Sequence, residues 1–309
     1  MTALAAAGCA AAPARTGVET HVPASRISLR VQVAESRDAV RQVGLEDYVL
    51  AAVISELALS GAGPEVERML EVQSVVARTY ALANRNRHAR EGFDLCSTTH
   101  CQLFQPSRLK TSGSATTAAA AVRRSAGEVL WHDGAPVSAM FHADCGGHTS
   151  TSVAAWGGTP RPYLKAVRDD GPAASAHARW SYPIAITAVV DALNGDPRTR
   201  VGGRLDTIRI VDRDASGRAA TVALHGARER LVRGEDLRSI LTRRFGARSI
   251  RSTLFDVRRD GMSFVFDGSG FGHGVGLCQA GALARIRAGA TAADVLRHYY
   301  PGTTLRSAN

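Results

Sequence analysis

Long apolar runs are missing from this chain of 309 residues: no stretch of 18 apolar residues occurs, so we predict no membrane-spanning helix. Zinc-finger and RRM-type signatures are also missing, and the net charge of +10 alone is a weak argument for nucleic acid, so we predict no nucleic-acid partner. No internal repeat is visible, and helical and strand patterns are interspersed without regular βαβ spacing. The pattern favours an α+β fold.

The composition is that of a globular protein, with 45% hydrophobic and 21% charged residues. The length is enough for one large domain or two ordinary ones, with a full core. The positive charge comes mostly from arginine and fits an anionic polymer or surface as a partner.

The N-terminus, MTALAAAGCAAAPARTG, is small and apolar and resembles the end of a secretory signal. The Ala-Ala-Gly-Cys segment resembles a lipoprotein-processing box, so we expect an exported protein tethered to the membrane by a lipid on Cys9. No Lys or Arg precedes Cys9, which suggests that the true start lies upstream. The alternative is an alanine-rich tail. Residues 1–25 are therefore assigned to a leader and linker.

Hydrophobic periodicity and turn residues predict the principal elements. These are a strand from Ile27, helices at Leu45–Leu57 and from Pro64, a cysteine-bearing loop at Phe93–Gln105, a helix near Ser114–Arg124, a hairpin around His132-Asp133-Gly134, a hairpin of Thr207–Val211 with Thr221–Leu224, and terminal helices near Gln279–Ala288 and Thr291–Tyr299. One interpretation of the mixed middle segment is an inserted subdomain at about 180–260.

Glu56 lies inside the apolar surface of the first helix, whose other faces are apolar too. A carboxylate among aliphatic neighbours is costly unless it is paired or neutral, and a neutral carboxylic acid near pH 7 suits proton-donating catalysis. Gln73 interrupts the apolar stripe of the second helix in the same way, so we expect a polar pocket between the two helices. The alternatives are a structural ion pair of Glu56 with Arg78 or a Glu56 that points into solvent.

Glycine at every second position marks Gly268–Gly281, GSGFGHGVGLCQAG. The spacing is not that of a dinucleotide fingerprint, and no Gly-Lys-Ser/Thr follows. Removing side chains from one side lets backbone and ligand approach closely, while His273 projects from the other side and Gln279 opens the next helix. A hydroxyl- and amide-rich sugar would suit this turn. The alternative is a tightly packed strand–helix corner.

The motifs in order resemble the stage II sporulation protein D / LytB family, over roughly Ile27 to Leu305. They are YVLAAVISEL, EVQSVVARTYALA, DLCSTTHCQLF, FHADCGGHTS and GFGHGVGLCQAGA with HYYPGT. The resemblance implies an α+β domain at 26–309 with helices packed on mixed, mostly antiparallel strands. It also implies a peptidoglycan lytic transglycosylase that cleaves MurNAc–GlcNAc links, preferentially in peptide-stripped strands, with Glu56 as the catalytic acid. Gln73, Arg78, His273 and Gln279 are then the expected glycan-binding residues.

Other members of this family are named as enhancers of cell-wall amidases, so a non-catalytic glycan-binding activator with an amidase partner is the second hypothesis. A zinc hydrolase is the third, and it would need an open metal site with a nearby base. Two departures from the family pattern are Leu-Ala-Leu-Ser after Glu56, where Met-Pro is usual, and Cys278, where Ser is common.

Cys96, His100 and Cys101 fall within six residues, a spacing that could supply three ligands to one zinc ion. The family resemblance implies a structural zinc site with two Cys and two His. We assign His88 as the fourth ligand, with His142 or His148 as alternatives. The rival hypothesis is a Cys96–Cys101 disulfide, which an exported location permits. Cys145 and Cys278 could form a second pair near the cleft.

Overall fold

The computed structural model describes residues 22, 26–57, 59, 61, 63–169, 175 and 177–308. The predicted lipidation of Cys9 therefore lies outside the described residues. Within them, helices alternate with short, mostly antiparallel sheets, which confirms the α+β class. No described helix is both long enough and apolar enough to cross a membrane.

The N-terminal half packs three helices against a small sheet. Strand β1 pairs antiparallel with β2 and parallel with β3, so the chain after the second helix returns beside the first strand. The elements are β1 (Ser28–Val33), β2 (Ala39–Gly44), α1 (Leu45–Glu56), α2 (Pro64–Ala83), β3 (Leu95–Cys96), α3 (Ala115–Arg124), β4 (Glu128–His132), β5 (Ala135–Pro136), β6 (Phe141–His142) and α4 (Ser152–Trp156).

Helix α1 is buried on nearly every side because its residues are apolar all round. Helix α2 begins at Pro64, whose fixed φ suits the first helical position. Glu65 and Glu67 in its first turn complement the positive end of the helix. The predicted bounds of α1 and the predicted start of α2 are confirmed to within a residue.

The segment after residue 180 forms two three-stranded antiparallel sheets with strand orders β10-β9-β8 and β11-β12-β7. Its elements are β7 (Trp180–Ala185), α5 (Ile186–Asn194), β8 (Leu205–Arg213), β9 (Ala219–Gly226), β10 (Arg230–Arg233), α6 (Gly234–Phe245), β11 (Phe255–Asp260) and β12 (Ser263–Gly268). The buried apolar side chains between Trp180 and Phe266 form a cluster separate from that of the flanking segments. A separate core is what an inserted subdomain at about 180–260 would need.

The C-terminal segment returns to the first core. Strand β13 pairs in parallel with β6, and β14 pairs antiparallel with β4. The elements are β13 (Leu277–Cys278), α7 (Gln279–Arg287), α8 (Ala292–Tyr299) and β14 (Thr304–Ser307). Thr291 is the N-cap of α8 and forms a capping box with Asp294.

Candidate functional site

Glu56 is the last residue of α1, and its side chain is mostly buried. The backbone N–H of Leu103 donates a hydrogen bond of 2.7 Å to Glu56 Oε1. Burial raises the pKa of Glu56 to about 7, and the Leu103 hydrogen bond opposes that rise. A large share of this carboxyl group is therefore protonated at neutral pH, as a general acid requires.

The loop that donates this hydrogen bond is fastened to the end of α1. The backbone N–H of Gln105 donates to Ser55 Oγ at 2.9 Å, and Arg108 Nη1 donates to the Ser55 carbonyl at 3.0 Å. The ring of Phe104 stacks on Tyr48 of α1, with centroids 5.1 Å apart. Loop and helix thus share several contacts that hold the Glu56 carboxyl in one place.

The raised pKa of Glu56 makes stability depend on pH. Between pH 4.5 and about 7 the folded chain keeps a proton that the unfolded chain has released, so stability falls as pH rises through this window. The cost is about 3 kcal/mol above pH 7, and Glu56→Gln removes it because an amide does not titrate. We expect urea unfolding to show this variant more stable than wild type at about pH 8, and the gain to vanish near pH 4.

The exposed Glu65 provides a matched control, since Glu65→Gln makes the same chemical change on a half-exposed side chain. This variant should show no such pH-dependent gain. An equal gain for Glu56→Gln at both pH values would contradict the prediction.

Arg78 is not placed where a glycan could reach it. Its Nε and Nη2 donate to the two carboxylate oxygens of Glu46 at 2.8 and 2.6 Å, and its side chain has no exposed surface. Its Nη1 donates to the carbonyl of Glu128 at 3.2 Å. The predicted glycan-binding role of Arg78 thus gives way to a structural one, and the alternative pairing of Arg78 with Glu56 is wrong.

Gln73 and Gln279 are brought together from α2 and the start of α7. Gln279 Nε2 donates to Gln73 Oε1 at 3.3 Å. Gln73 is fully buried, and its Nε2 lacks a hydrogen-bond partner among the described residues. An orphan amide donor in the core costs about 1–3 kcal/mol, and of this pair only the partly exposed Gln279 is open to a ligand.

His273 lies in the glycine-rich turn against Trp156 of α4, with ring centroids 5.0 Å apart. The backbone N–H of Val275 donates to His273 Nδ1 at 3.0 Å, so the ring proton is on Nε2. Burial, together with the charges of Arg238 and Arg218, lowers the pKa of His273 to about 3. The imidazole is therefore neutral and serves as a hydrogen-bond donor.

A cavity of about 490 Å³ opens beside this turn. Its wall includes Trp156, which also contacts His273, and Arg161. Glu56 is not among the described residues that line it. His273 is not among those residues either and is connected to the cavity through its contact with Trp156, whereas Glu56 lies beside the cysteine-bearing loop.

The alternating glycines of the turn let strands approach closely. Gly276 has φ +71°, and a Cβ there would lie 2.1 Å from the carbonyl oxygen of Met140. Gly276→Ala should therefore cost about 3 kcal/mol of unfolding free energy, from the left-handed backbone and the clash together. Gly289→Ala is the matched control, since Gly289 has φ +96° but no atom within 4 Å of its added Cβ, and it should cost only about 1 kcal/mol. Equal losses in chemical denaturation would refute the close-approach argument.

The four predicted metal ligands converge on one point. The donor atoms of His88, Cys96, His100 and Cys101 all lie within 4.8 Å of one another. Cys101 Sγ lies 3.4 Å from His88 Nε2 and 3.8 Å from His100 Nδ1, and Cys96 Sγ lies 3.8 Å from His100 Nδ1. A tetrahedral zinc ion with bonds of about 2.1–2.3 Å separates its donors by about 3.3–3.8 Å, so the residues fit such an ion.

The surroundings of this group are compatible with a bound metal. Cys96 and Cys101 are not joined by a disulfide, and the hydrogen bond between them lowers the pKa of Cys96 and raises that of Cys101. His88 Nδ1 contacts the carboxylate of Glu91 while Nε2 faces Cys101, the arrangement that orients a metal-binding imidazole. Of the alternative fourth ligands, His148 Nδ1 bonds to the carbonyl of Thr149 instead.

Sequence reasoning did not identify Leu103, Trp156 or Glu46 as partners of the site. Leu103 acts through its backbone, which carries no side-chain signal. Trp156 lies 117 residues from its partner His273 along the chain, and Glu46 lies 32 residues from its partner Arg78. Local sequence spacing does not predict contacts between residues this far apart.

Comparison with known proteins connects this geometry to a family. Residues 34–132 match the family model described as SpoIID, stage II sporulation protein. The chain carries a SpoIID domain. This confirms the family predicted from the motifs, and the matched segment contains Glu56, Gln73 and all four residues of the metal group. Residues 173–276 match a second model, a domain of unknown function named DUF8618, which contains His273.

Related proteins extend the similarity beyond the SpoIID domain. The chain is 27% identical to stage II sporulation protein D of Bacillus amyloliquefaciens and 26% identical to that of Bacillus subtilis (strain 168). These alignments cover 95% and 96% of this chain and 83% and 84% of the relatives. It is also 25% identical to a B. subtilis protein named amidase enhancer, over 77% of this chain and 38% of that protein.

Proposed function

We propose that this protein is an exported peptidoglycan lytic transglycosylase that uses Glu56 as its single acid and base. The observation that carries the proposal is a mostly buried carboxyl group, held by the backbone N–H of Leu103, within the domain that matches the SpoIID model. The names of the relatives support a role at the cell wall, and the exported location, with a lipid on Cys9, remains a prediction.

The reaction needs one carboxyl group. Protonated Glu56 donates its proton to the oxygen of the MurNAc–GlcNAc link as the bond from MurNAc C1 breaks. The resulting carboxylate accepts the proton of the MurNAc 6-hydroxyl, whose oxygen closes on C1 to form a 1,6-anhydro ring. No water is consumed, and Glu56 ends in its starting protonation state. Ordinary glycosidases need two carboxylates, whereas this reaction needs no partner acid.

Glycan binding is assigned to Gln73, Gln279 and His273. Gln279 and His273 are partly exposed and offer polar groups to sugar hydroxyls and amides, while the buried Gln73 orients Gln279 through its Oε1. Trp156 offers an aromatic face at the cavity wall, and the net charge of +10 favours an anionic wall polymer. We expect peptide-stripped glycan strands to be the preferred substrate.

We assign zinc to His88, Cys96, His100 and Cys101. A full tetrahedral set of protein donors makes the ion structural and supplies no open position for water. Cys101 is two residues before Leu103, so the metal group would hold the loop whose backbone bonds to Glu56.

The second candidate function is activation of a cell-wall amidase, and the similarity to a protein named amidase enhancer favours it. Mass spectrometry of purified glycan strands after incubation with the protein separates the two. Anhydro-ended fragments support the transglycosylase, while intact strands together with stimulation of an added amidase support the activator.

A further inference from the structure

A second group of metal-ligating side chains lies apart from the first. Donor atoms of His142, Cys145 and Cys278 all lie within 4.8 Å of one another, and all three residues are buried. His142 and Cys278 are directly paired in the parallel β6–β13 ladder, and Cys145 follows β6. The group shares no residue with the first and has no part in the proposed reaction.

The hydrogen bonding of His142 leaves one ring nitrogen available to a metal. Its Nδ1 lies 3.2 Å from the carbonyl oxygen of Val275, which can only accept, so Nδ1 carries the ring proton. Its Nε2 is then a bare lone pair, and it has no hydrogen-bond partner in the described part of the chain. A ring nitrogen tied to a backbone carbonyl with the opposite nitrogen unpartnered is the usual arrangement of a metal-binding histidine.

Backbone N–H groups donate to both sulfur atoms. Cys278 Sγ accepts from the N–H of Cys145 at 3.2 Å and of Gly281 at 3.3 Å. Cys145 Sγ accepts from the N–H of Gly147 at 3.4 Å. These N–H groups fix the positions of the two sulfur atoms that a metal ion would bind.

A buried carboxylate and a compensating charge lie beside the group. The Cys145 thiol donates to Asp169 Oδ2 at 3.6 Å, the Tyr299 hydroxyl donates to the same oxygen, and Asp169 is fully buried. A Cβ on Gly281 would lie only 1.8 Å from that oxygen, so the glycine makes room for the carboxylate. The buried guanidinium of Arg218 donates to the Cys145 carbonyl at 2.6 Å and offsets negative charge here.

We propose that His142, Cys145 and Cys278 form a second site for a zinc-class divalent cation, with Asp169 as a buried carboxylate beside Cys145. Two sulfur donors and one imidazole suit zinc better than magnesium or calcium, which prefer oxygen. The ion would join β6 to β13 and so brace the turn that carries His273. A Cys145–Cys278 disulfide is the competing arrangement, and it would leave His142 Nε2 without a partner.

The test begins with the full chain carrying Cys96→Ser and Cys101→Ser, which removes the first metal group and leaves the second intact. After growth with zinc and purification, elemental analysis should find about one zinc ion per chain. Adding His142→Gln, which keeps the bulk of the side chain and removes the imidazole ligand, should reduce the content to about zero while circular dichroism shows a folded protein.

The wild-type chain gives an independent measurement that needs no substitution at the buried group. We expect about two zinc ions per chain and no Cys145–Cys278 peptide in a non-reducing digest. Either a zinc-free double-serine variant that is folded or a Cys145–Cys278 disulfide in the purified wild type would overturn the second site.

Discussion

Replacing Glu56 by Gln should lower the rate of glycan cleavage by about 10²- to 10⁴-fold, the usual contribution of a general acid. Gln keeps the size of the side chain and an oxygen that can accept the Leu103 N–H, so position and shape are retained while the transferable proton is lost. Mass spectrometric quantification of 1,6-anhydro ends over time measures the effect.

The control for this substitution is Glu65→Gln, because Glu65 is half exposed at the start of α2. It should cleave at the wild-type rate. For the wild type, burial places the Glu56 pKa at about 7, so the protonated fraction and the rate should decline above neutral pH. A Glu56→Gln variant that releases anhydro ends as fast as wild type would remove Glu56 from the mechanism.

Removal of metal from the His88, Cys96, His100 and Cys101 group should be the other large effect. Structural zinc contributes about 10 kcal/mol or more of apparent binding free energy at neutral pH, and much of it orders the chain that supplies the ligands. Here that chain continues directly into Leu103, Phe104 and Gln105, which fasten the loop to α1. We expect chelation or Cys101→Ser to reduce cleavage by about 10- to 100-fold and to lower the melting temperature.

The same loss is expected for His88→Gln, which removes an imidazole ligand of the metal group. The control for that substitution is His225→Gln. His225 is a partly exposed histidine paired with Glu229, and its replacement should change neither metal content nor activity. Restoring zinc to chelated wild type should recover the rate, whereas restoring it to Cys101→Ser should not. Full activity in protein shown by elemental analysis to be metal-free would contradict the bracing role.

Much of the candidate site follows from local patterns. The bounds of α1 and α2 follow from apolar periodicity and from Pro64, since helix ends are decided by nearby residues. Cys96, His100 and Cys101 lie on one short loop, so their spacing alone brings them together. The choice of His88 came from the family resemblance, and the structure supports it.

The pairing of Arg78 could not be obtained in this way. Glu46 and Glu56 lie on the same helix, ten residues and about 15 Å apart, and each is a chemically suitable partner for a guanidinium. The packing of α2 on α1 decides which one Arg78 meets, and it meets Glu46. Glu56 lies at the end of the helix and instead accepts a hydrogen bond from the loop that follows the metal group.

The sequence alone predicted three features: a helix that is apolar on all sides with one embedded carboxylate, the alternating glycines, and the Cys/His spacing. Each of them is a property of residues that are neighbours along the chain. Only the tertiary structure showed that the Leu103 N–H donates to the Glu56 carboxylate and that Trp156 packs on His273. It also showed that His142 lies beside Cys145 and Cys278. Those contacts depend on how elements that are distant in sequence pack together, and that packing is determined by the shape and burial of the whole core.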